Sequence, residues 1–105
     1  MKKYVLTVGL FDRETEKQEI ATNAAKDKIS DILINGNEVF AFTMIECSGV
    51  YKMQSTNHIV YEPSIRIEIA SNESLNYLKI VSELKRELNQ ESIMIEISES
   101  NIMFN

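Results

Sequence analysis

The chain has 105 residues, with 11 Lys and Arg against 16 Asp and Glu, one His, one Cys, one Pro and three Gly. That length predicts a single domain over residues 1–105, able to bury about two-thirds of its unfolded surface without a metal or disulfide staple. An apolar share of 44% excludes disorder and collagen-like order, and a net charge of −5 sets the long-range field against a phosphate backbone, so no direct nucleic-acid contact is expected.

Lys2 and Lys3 precede an apolar run over residues 4–11, which imitates a short secretion signal. The run meets Asp12-Arg13-Glu14 with no small-residue cleavage site, so a buried first strand is expected instead. No stretch approaches the roughly 20 apolar residues that span a bilayer, and no membrane partner is expected. Residues 12–19 carry alternating charges without apolar period and read as a loop. Thr22 is placed as a helix N-cap, with Ala25, Ile29, Ile32 and Leu33 on one stripe and Gly36 as the left-handed cap.

Residues 38–47 alternate, with Val39, Ala41, Thr43, Ile45 and Cys47 on one face and Phe40, Phe42, Met44 and Glu46 on the other. Residues 49–53 and 58–62 continue as a ribbon around Gln54-Ser55-Thr56-Asn57, which predicts a long hairpin at about 48–64 that projects past the sheet. Pro63 marks a strand start or an edge. Ile65, Ile67 and Ile69 then alternate with Arg66 and Glu68. Ser71-Asn72-Glu73 signals a helix start, followed by Leu75, Leu78, Val81, Leu84 and Leu88 at helical spacing. A last strand over 92–98 sets Ile93, Ile95 and Ile97 against Met94 and Glu96, and the apolar tail Ile102-Met103-Phe104 is placed at a sheet edge or a subunit contact.

The order β-α-β-β-α-β predicts an α+β, ferredoxin-like domain: one antiparallel sheet with two helices on one face. The isoleucines at 65, 67, 69, 93, 95 and 97 are expected to face the helices. The bare face is expected to carry Val5, Thr7, Gly9, Phe40, Phe42, Met44, Glu46, Arg66, Glu68, Met94 and Glu96. Phe40, Phe42 and Met44 would form an exposed apolar patch there, the mark of a protein-partner contact or of a homo-oligomer, most simply a dimer through this face or the edge strand, unless the tail folds over them.

Three segments, Gly49-Val50-Tyr51, Tyr61-Glu62-Pro63-Ser64 and Gln90-Glu91-Ser92-Ile93, resemble in kind and spacing a bacterial family of small domains of unknown function that carries G-x-W, then R-E-P-S, then Q-E-S-V. The resemblance runs from about Val39 to the C-terminus. Tyr51 stands in place of the Trp and Tyr61 in place of the Arg. The leader common in that family has no counterpart here, so export is not expected. The resemblance implies the fold and no particular chemistry.

Glu62 is a candidate functional carboxylate, set against a plain role at a strand start or in a pair with Lys52. Gln90-Glu91-Ser92 is placed near the end of the first strand and the 12–19 loop, at the opposite end of the sheet from Glu62, where it also reads as a simple helix exit. Glu46, Arg66, Glu68 and Glu96 could share the bare face as acid/base or ligand-orienting groups, or as cross-strand ion pairs. His58 sits beside a turn, and Cys47 is taken as a small buried hydrophobe on the helix side. With no Ser/His/Asp order, P-loop, glycine fingerprint or metal spacing, no catalytic residue, metal or cofactor is expected. The lone cysteine fits a cytoplasmic location.

Two functions follow from these residues. The first is a non-enzymatic cytoplasmic binding or inhibitor module acting on a protein partner, by analogy with mobile-element antagonists of host defence. The alternative is a dimer that sequesters a small molecule or nucleotide signal, or a cofactor-free enzyme, with a pocket between two sheets. Phe40, Phe42 and Met44 would wall that pocket, and Arg66 would meet a carboxylate or phosphate among Glu46, Glu68 and Glu96.

Overall fold

Along Lys2–Gly9 the large apolar side chains fall on alternate positions, Tyr4, Leu6 and Val8, so one face of an extended segment can be buried whole; this is strand β1. Three further strands, β2 (Thr43–Lys52), β3 (Ile59–Ser71) and β4 (Met94–Glu99), complete a sheet of order β2-β3-β1-β4 in which every neighbouring pair is antiparallel. Helix α1 (Thr22–Asp31) lies between β1 and β2, and α2 (Tyr77–Glu87) between β3 and β4. The chain is a ferredoxin-like α+β domain, described by this computed structural model over residues 1–104.

Register explains the core. Tyr4, Leu6 and Val8 pair with Ile69, Ile67 and Ile65, and all six are buried on the same face. Ala25 and Ile29 of α1 pack onto them with Ile80 and Leu84 of α2, and the cluster extends to Ile32, Leu33 and Leu88. Each such side chain contributes about 1.5–3 kcal/mol relative to exposure. Among the described residues no helix is long and apolar enough to cross a membrane.

Both helix boundaries differ from those the sequence suggests. Ala21 occupies the N-cap of α1 without a side-chain bond, and Thr22 is already helical. The helix widens into a π-helical segment, Ile32–Gly36, and Gly36 does not take a left-handed conformation; Glu38 does, at φ 54°. Lys79 of α2 satisfies the exposed end instead, donating from Nζ to the Gly36 carbonyl at 2.7 Å and to Asn37 Oδ1 at 3.1 Å. Helix α2 starts at Tyr77, because Ser71 is held in β3 and its hydroxyl turns the chain by accepting the Glu73 N–H at 3.2 Å. Asn76 then caps the helix, its side chain accepting from the Lys79 N–H. Packing on the sheet buries Ile80 with Leu84 and Leu88, an i, i+4, i+8 stripe, and Leu78 is left 69% exposed.

The faces of β2 are the reverse of those its alternation suggests. Ten consecutive pairs, from Thr43↔Glu68 to Lys52↔Ile59, lock Met44 opposite Ile67 and therefore on the helix side. Phe42 and Met44 are partly buried against the core, while Phe40 precedes the strand and is exposed. The expected apolar patch of Phe40, Phe42 and Met44 on the bare face does not form. Glu46 likewise points to the helices, where Lys26 of α1 holds it at 2.8 Å. Thr43, Ile45 and Cys47 take the bare face, beside Glu68, Arg66 and Ser64, so Cys47 is half-buried there and not under the helices. Alternation alone could not choose, because both sets of β2 side chains are apolar enough to be buried.

The tail runs beside the sheet without covering Phe40. Ile102 and Phe104 line an apolar groove of about 550 Å³ with Ala41, Phe42 and Ile69, and Phe104 remains exposed.

Candidate functional site

Antiparallel pairing brings the beginning of β3 to the end of β1, and the exit of α2 arrives at the same place. Ser64 pairs with Gly9, and the Leu10 N–H donates to the Pro63 carbonyl at 2.9 Å. Because side chains alternate strictly along β3, Glu62 and Ser64 lie on the bare face with Arg66; their β2 partners Gly49 and Cys47 lie there too, followed by Tyr51. Beyond β1 the chain turns through Phe11 into the 12–19 loop, which docks on the α2–β4 connection. These segments enclose a cleft of about 530 Å³ whose lining includes Gly9, Asp12, Tyr51, Glu62, Ser64 and Gln90.

Glu62 is held at the floor of this cleft. Its Oε2 accepts the Phe11 N–H at 2.8 Å, and its carboxylate lies directly over Gly9, where a Cβ would overlap it. Gly49 has a similar reason: a Cβ there would stand 3.3 Å from Ser64 Oγ, which donates to the Glu62 carbonyl at 3.0 Å. Glycine at position 9 admits the carboxylate, and glycine at position 49 leaves room for the Ser64 hydroxyl beside it.

The α2–β4 connection holds the opposite wall. Buried Gln90 donates from Nε2 to the Phe11 carbonyl at 2.6 Å. Asn89, in a left-handed conformation at φ 46°, donates from Nδ2 to Asp12 Oδ2 at 2.8 Å and accepts the Arg13 N–H at 3.0 Å. Asp12 also caps its own loop, accepting the Glu14 and Thr15 N–H groups on Oδ1. The Asn89 amide and these backbone donors hold the Asp12 carboxyl below its ordinary value of 3.8.

Tyr51 stands across from Glu62. Burial, and then the charges of Glu62 and Glu16, push its phenol above the ordinary 10.0. The phenol is therefore neutral across the physiological range. Its contribution to stability is complete below pH 10 and fades as pH rises through the folded value, because the unfolded chain ionises first. In the difference spectrum between wild type and Tyr51→Phe, alkaline titration is expected to show a midpoint above 10. Glu62→Gln should lower that midpoint without restoring the ordinary value, since burial is the larger cause; a midpoint unmoved by Glu62→Gln would separate the two residues.

The cleft wall carries Asp12, Glu16, Glu62 and Glu91 against Arg13 and Lys52. This excess of carboxylates suits a ligand with a positive centre and opposes a polyphosphate. Among the described residues no group of three His, Cys, Asp or Glu is placed to hold a metal ion.

Glu62 is the one member of the expected ligand set found in this lining. Arg66 and Glu68 pair with each other at 3.3 Å, and Lys3 reaches Glu68 at 3.8 Å, further along the bare face. Glu96 lies on β4 opposite Val5, and Glu46 is on the helix side. Gln90-Glu91-Ser92 shares the cleft with Glu62 and is not at the opposite end of the sheet, because β3 runs against β1 and passes the end of β1 at Ser64, two residues after Glu62. Asp12 carries no mark in the sequence beyond its place in a polar loop, and Gly9, the last residue of β1, is the local sign of a close approach.

A small ferredoxin-like domain with an acidic cleft at one end of its bare face is thus the class this chain represents. No family model matches it, and no curated protein matches it. Solved structures are similar to it. A phage SAM lyase in complex with S-methyl-5'-thioadenosine shares 24% identity over 93% of this chain and 80% of that one, at a TM-score of 0.63. The GlnK–ATP complex of B. subtilis shares 14% over 92% and 82%, at 0.56. A DUF3240 family protein from Shewanella baltica shares 13% over 99% and 97%, at 0.54.

Proposed function

We propose that the cleft binds S-adenosylmethionine (SAM) and that the protein is a SAM-cleaving lyase releasing S-methyl-5'-thioadenosine. The observation that carries this reading is the convergence of Tyr51, Glu62 and Gln90 on one acidic cleft, in a fold shared with a lyase of that name bound to that thioether. The three segments that resemble the small-domain family supply these residues; we read Tyr51 and Glu62 as ligand-contacting and Gln90 as part of the wall that holds them. The proposal takes the small-molecule, cofactor-free alternative in preference to a protein partner, since Phe42 and Met44 face the helices and the bare-face patch expected to carry a partner does not form.

The chemistry asks little of the protein beyond orientation and field. A sulfonium carries its own leaving group: the bond from sulfur to the amino-acid chain breaks, and its electron pair stays on sulfur as the neutral thioether. The carbon left behind must gain a bond, and the substrate's own carboxylate oxygen is placed to close a five-membered lactone with no proton released. Glu62 would face the sulfonium and the neutral Tyr51 ring would flank it, a cation meeting a carboxylate and an aromatic face. Because the nucleophile already belongs to the substrate, the protein's contribution is to hold the amino-acid chain folded in the near-attack conformation.

The test is incubation of the purified protein with SAM and mass-spectrometric detection of S-methyl-5'-thioadenosine and the amino-lactone, with calorimetric binding of S-methyl-5'-thioadenosine and of ATP alongside. Thioether release with weak or absent ATP binding is expected. A protein that binds ATP and leaves SAM intact would replace this reading with a nucleotide-sensing one.

A further inference from the structure

We infer that Gln90 is a positioning residue for Glu62, acting through the backbone of Phe11; the inference rests on the reading of the cleft just given. Gln90 and Glu62 come from different elements, and Phe11 stands between them in a series of two hydrogen bonds. Gln90 Nε2 donates to the Phe11 carbonyl at 2.6 Å, and the Phe11 N–H donates to Glu62 Oε2 at 2.8 Å. Gln90 is only 7% exposed, and the same amide nitrogen leans on the Leu88 carbonyl at 3.4 Å, so its orientation is fixed by the exit of α2. A buried polar side chain is held in place by the bonds it makes, and removing its donor leaves the partner carbonyl without one.

Asn89 secures the next stretch of chain, through its bonds to Asp12 and to the Arg13 N–H. The 11–13 segment is thereby clamped from the α2–β4 connection at three points. Glu62 has its carboxylate against Gly9 on one side and this clamped segment on another. Displacement of Phe11 would tilt the carboxylate away from the position in which it meets the positive centre of the ligand, and small misplacements of an orienting group have large effects on rate.

Gln90→Met keeps the length of the side chain and removes the donor. It is expected to lower kcat/KM for SAM by about 10-fold, while affinity for neutral S-methyl-5'-thioadenosine changes less than about threefold. In a Glu62→Gln background the same substitution should cost less than about threefold, because the group being positioned no longer carries its charge. Phe11 amide hydrogen exchange should accelerate in Gln90→Met, a readout that does not depend on the ligand. Asn89→Gly preserves the left-handed backbone and removes only the side-chain bond to Asp12, so it is the second variant, expected to fold, should Gln90→Met unfold. It should accelerate Phe11 exchange to a lesser degree. Equal losses in both Glu62 backgrounds, or activity loss with Phe11 exchange unchanged, would overturn the inference and make Gln90 a direct ligand contact or a purely structural residue. Failure of wild type to bind S-methyl-5'-thioadenosine would sink the cleft reading instead, and the exchange measurements would still decide whether Gln90 holds Phe11.

Discussion

Glu62→Gln is expected to reduce kcat/KM for SAM by about 10–100-fold, which corresponds to loss of a charge-assisted contact of about 1.5–3 kcal/mol. The substitution is nearly isosteric. The new side-chain carbonyl can still accept the Phe11 N–H that now holds Oε2 at 2.8 Å, and the amide still fits over Gly9. The change is therefore one of charge, and the melting temperature should stay within about 2 °C, as is usual away from the core. The effect should be selective. S-adenosylhomocysteine and S-methyl-5'-thioadenosine have no sulfonium, so their affinities should change less than about threefold. Parallel calorimetry of SAM and S-adenosylhomocysteine on wild type and variant separates these cases. Equal weakening of both ligands would place the carboxylate on the adenosine or the amino group rather than on sulfur.

The second large effect is on folding. Ile67 is fully buried at the middle of β3, between Leu6 of β1 and Met44 of β2, beneath the helices. Ile67→Ala should cost about 2–5 kcal/mol through lost transfer and a residual cavity. Against a total stability of about 5–15 kcal/mol for a domain of this kind, that is a substantial fraction, and a melting-temperature drop of about 10 °C or more follows. Leu78→Ala is the control. It removes an equally large side chain from the helical pattern of the sequence, yet Leu78 is 69% exposed, and its loss should lie within about 0.5 kcal/mol. Thermal melts followed by circular dichroism decide this; comparable losses would mean that Leu78 is covered by a second molecule.

The contrast between these two residues shows where the amino-acid pattern is sufficient. Alternation over 65–69 and 93–97, and a period between three and four residues before each helix exit, determine the order of elements. That order, in a chain of 105 residues, determines the ferredoxin-like sheet, because its apolar strand faces require two helices over one side. Glu62, Tyr51 and Gln90 were visible as members of short segments resembling those of a family. Of the site's residues, the local pattern therefore named Glu62 alone as a candidate, held Tyr51 and Gln90 only as members of those segments, and left Asp12 unmarked.

Three matters were decided by tertiary structure alone. The start of α2 followed from how far β3 extends, since Ser71 stays in the strand and Asn76 becomes the cap, and packing on the sheet chose Ile80, Leu84 and Leu88 as its buried stripe. The faces of β2 followed from its register on β3, because period-2 alternation leaves two mirror choices when both faces are apolar, and only the pair Met44↔Ile67 selects one. The cleft followed from antiparallel pairing, which returns the start of β3 and the exit of α2 to the end of β1 and there joins Gln90, Phe11 and Glu62 by hydrogen bonds between residues up to 79 positions apart. Short-range patterns report what each segment buries; a site made of such distant contacts exists only once chain packing has set their relative positions.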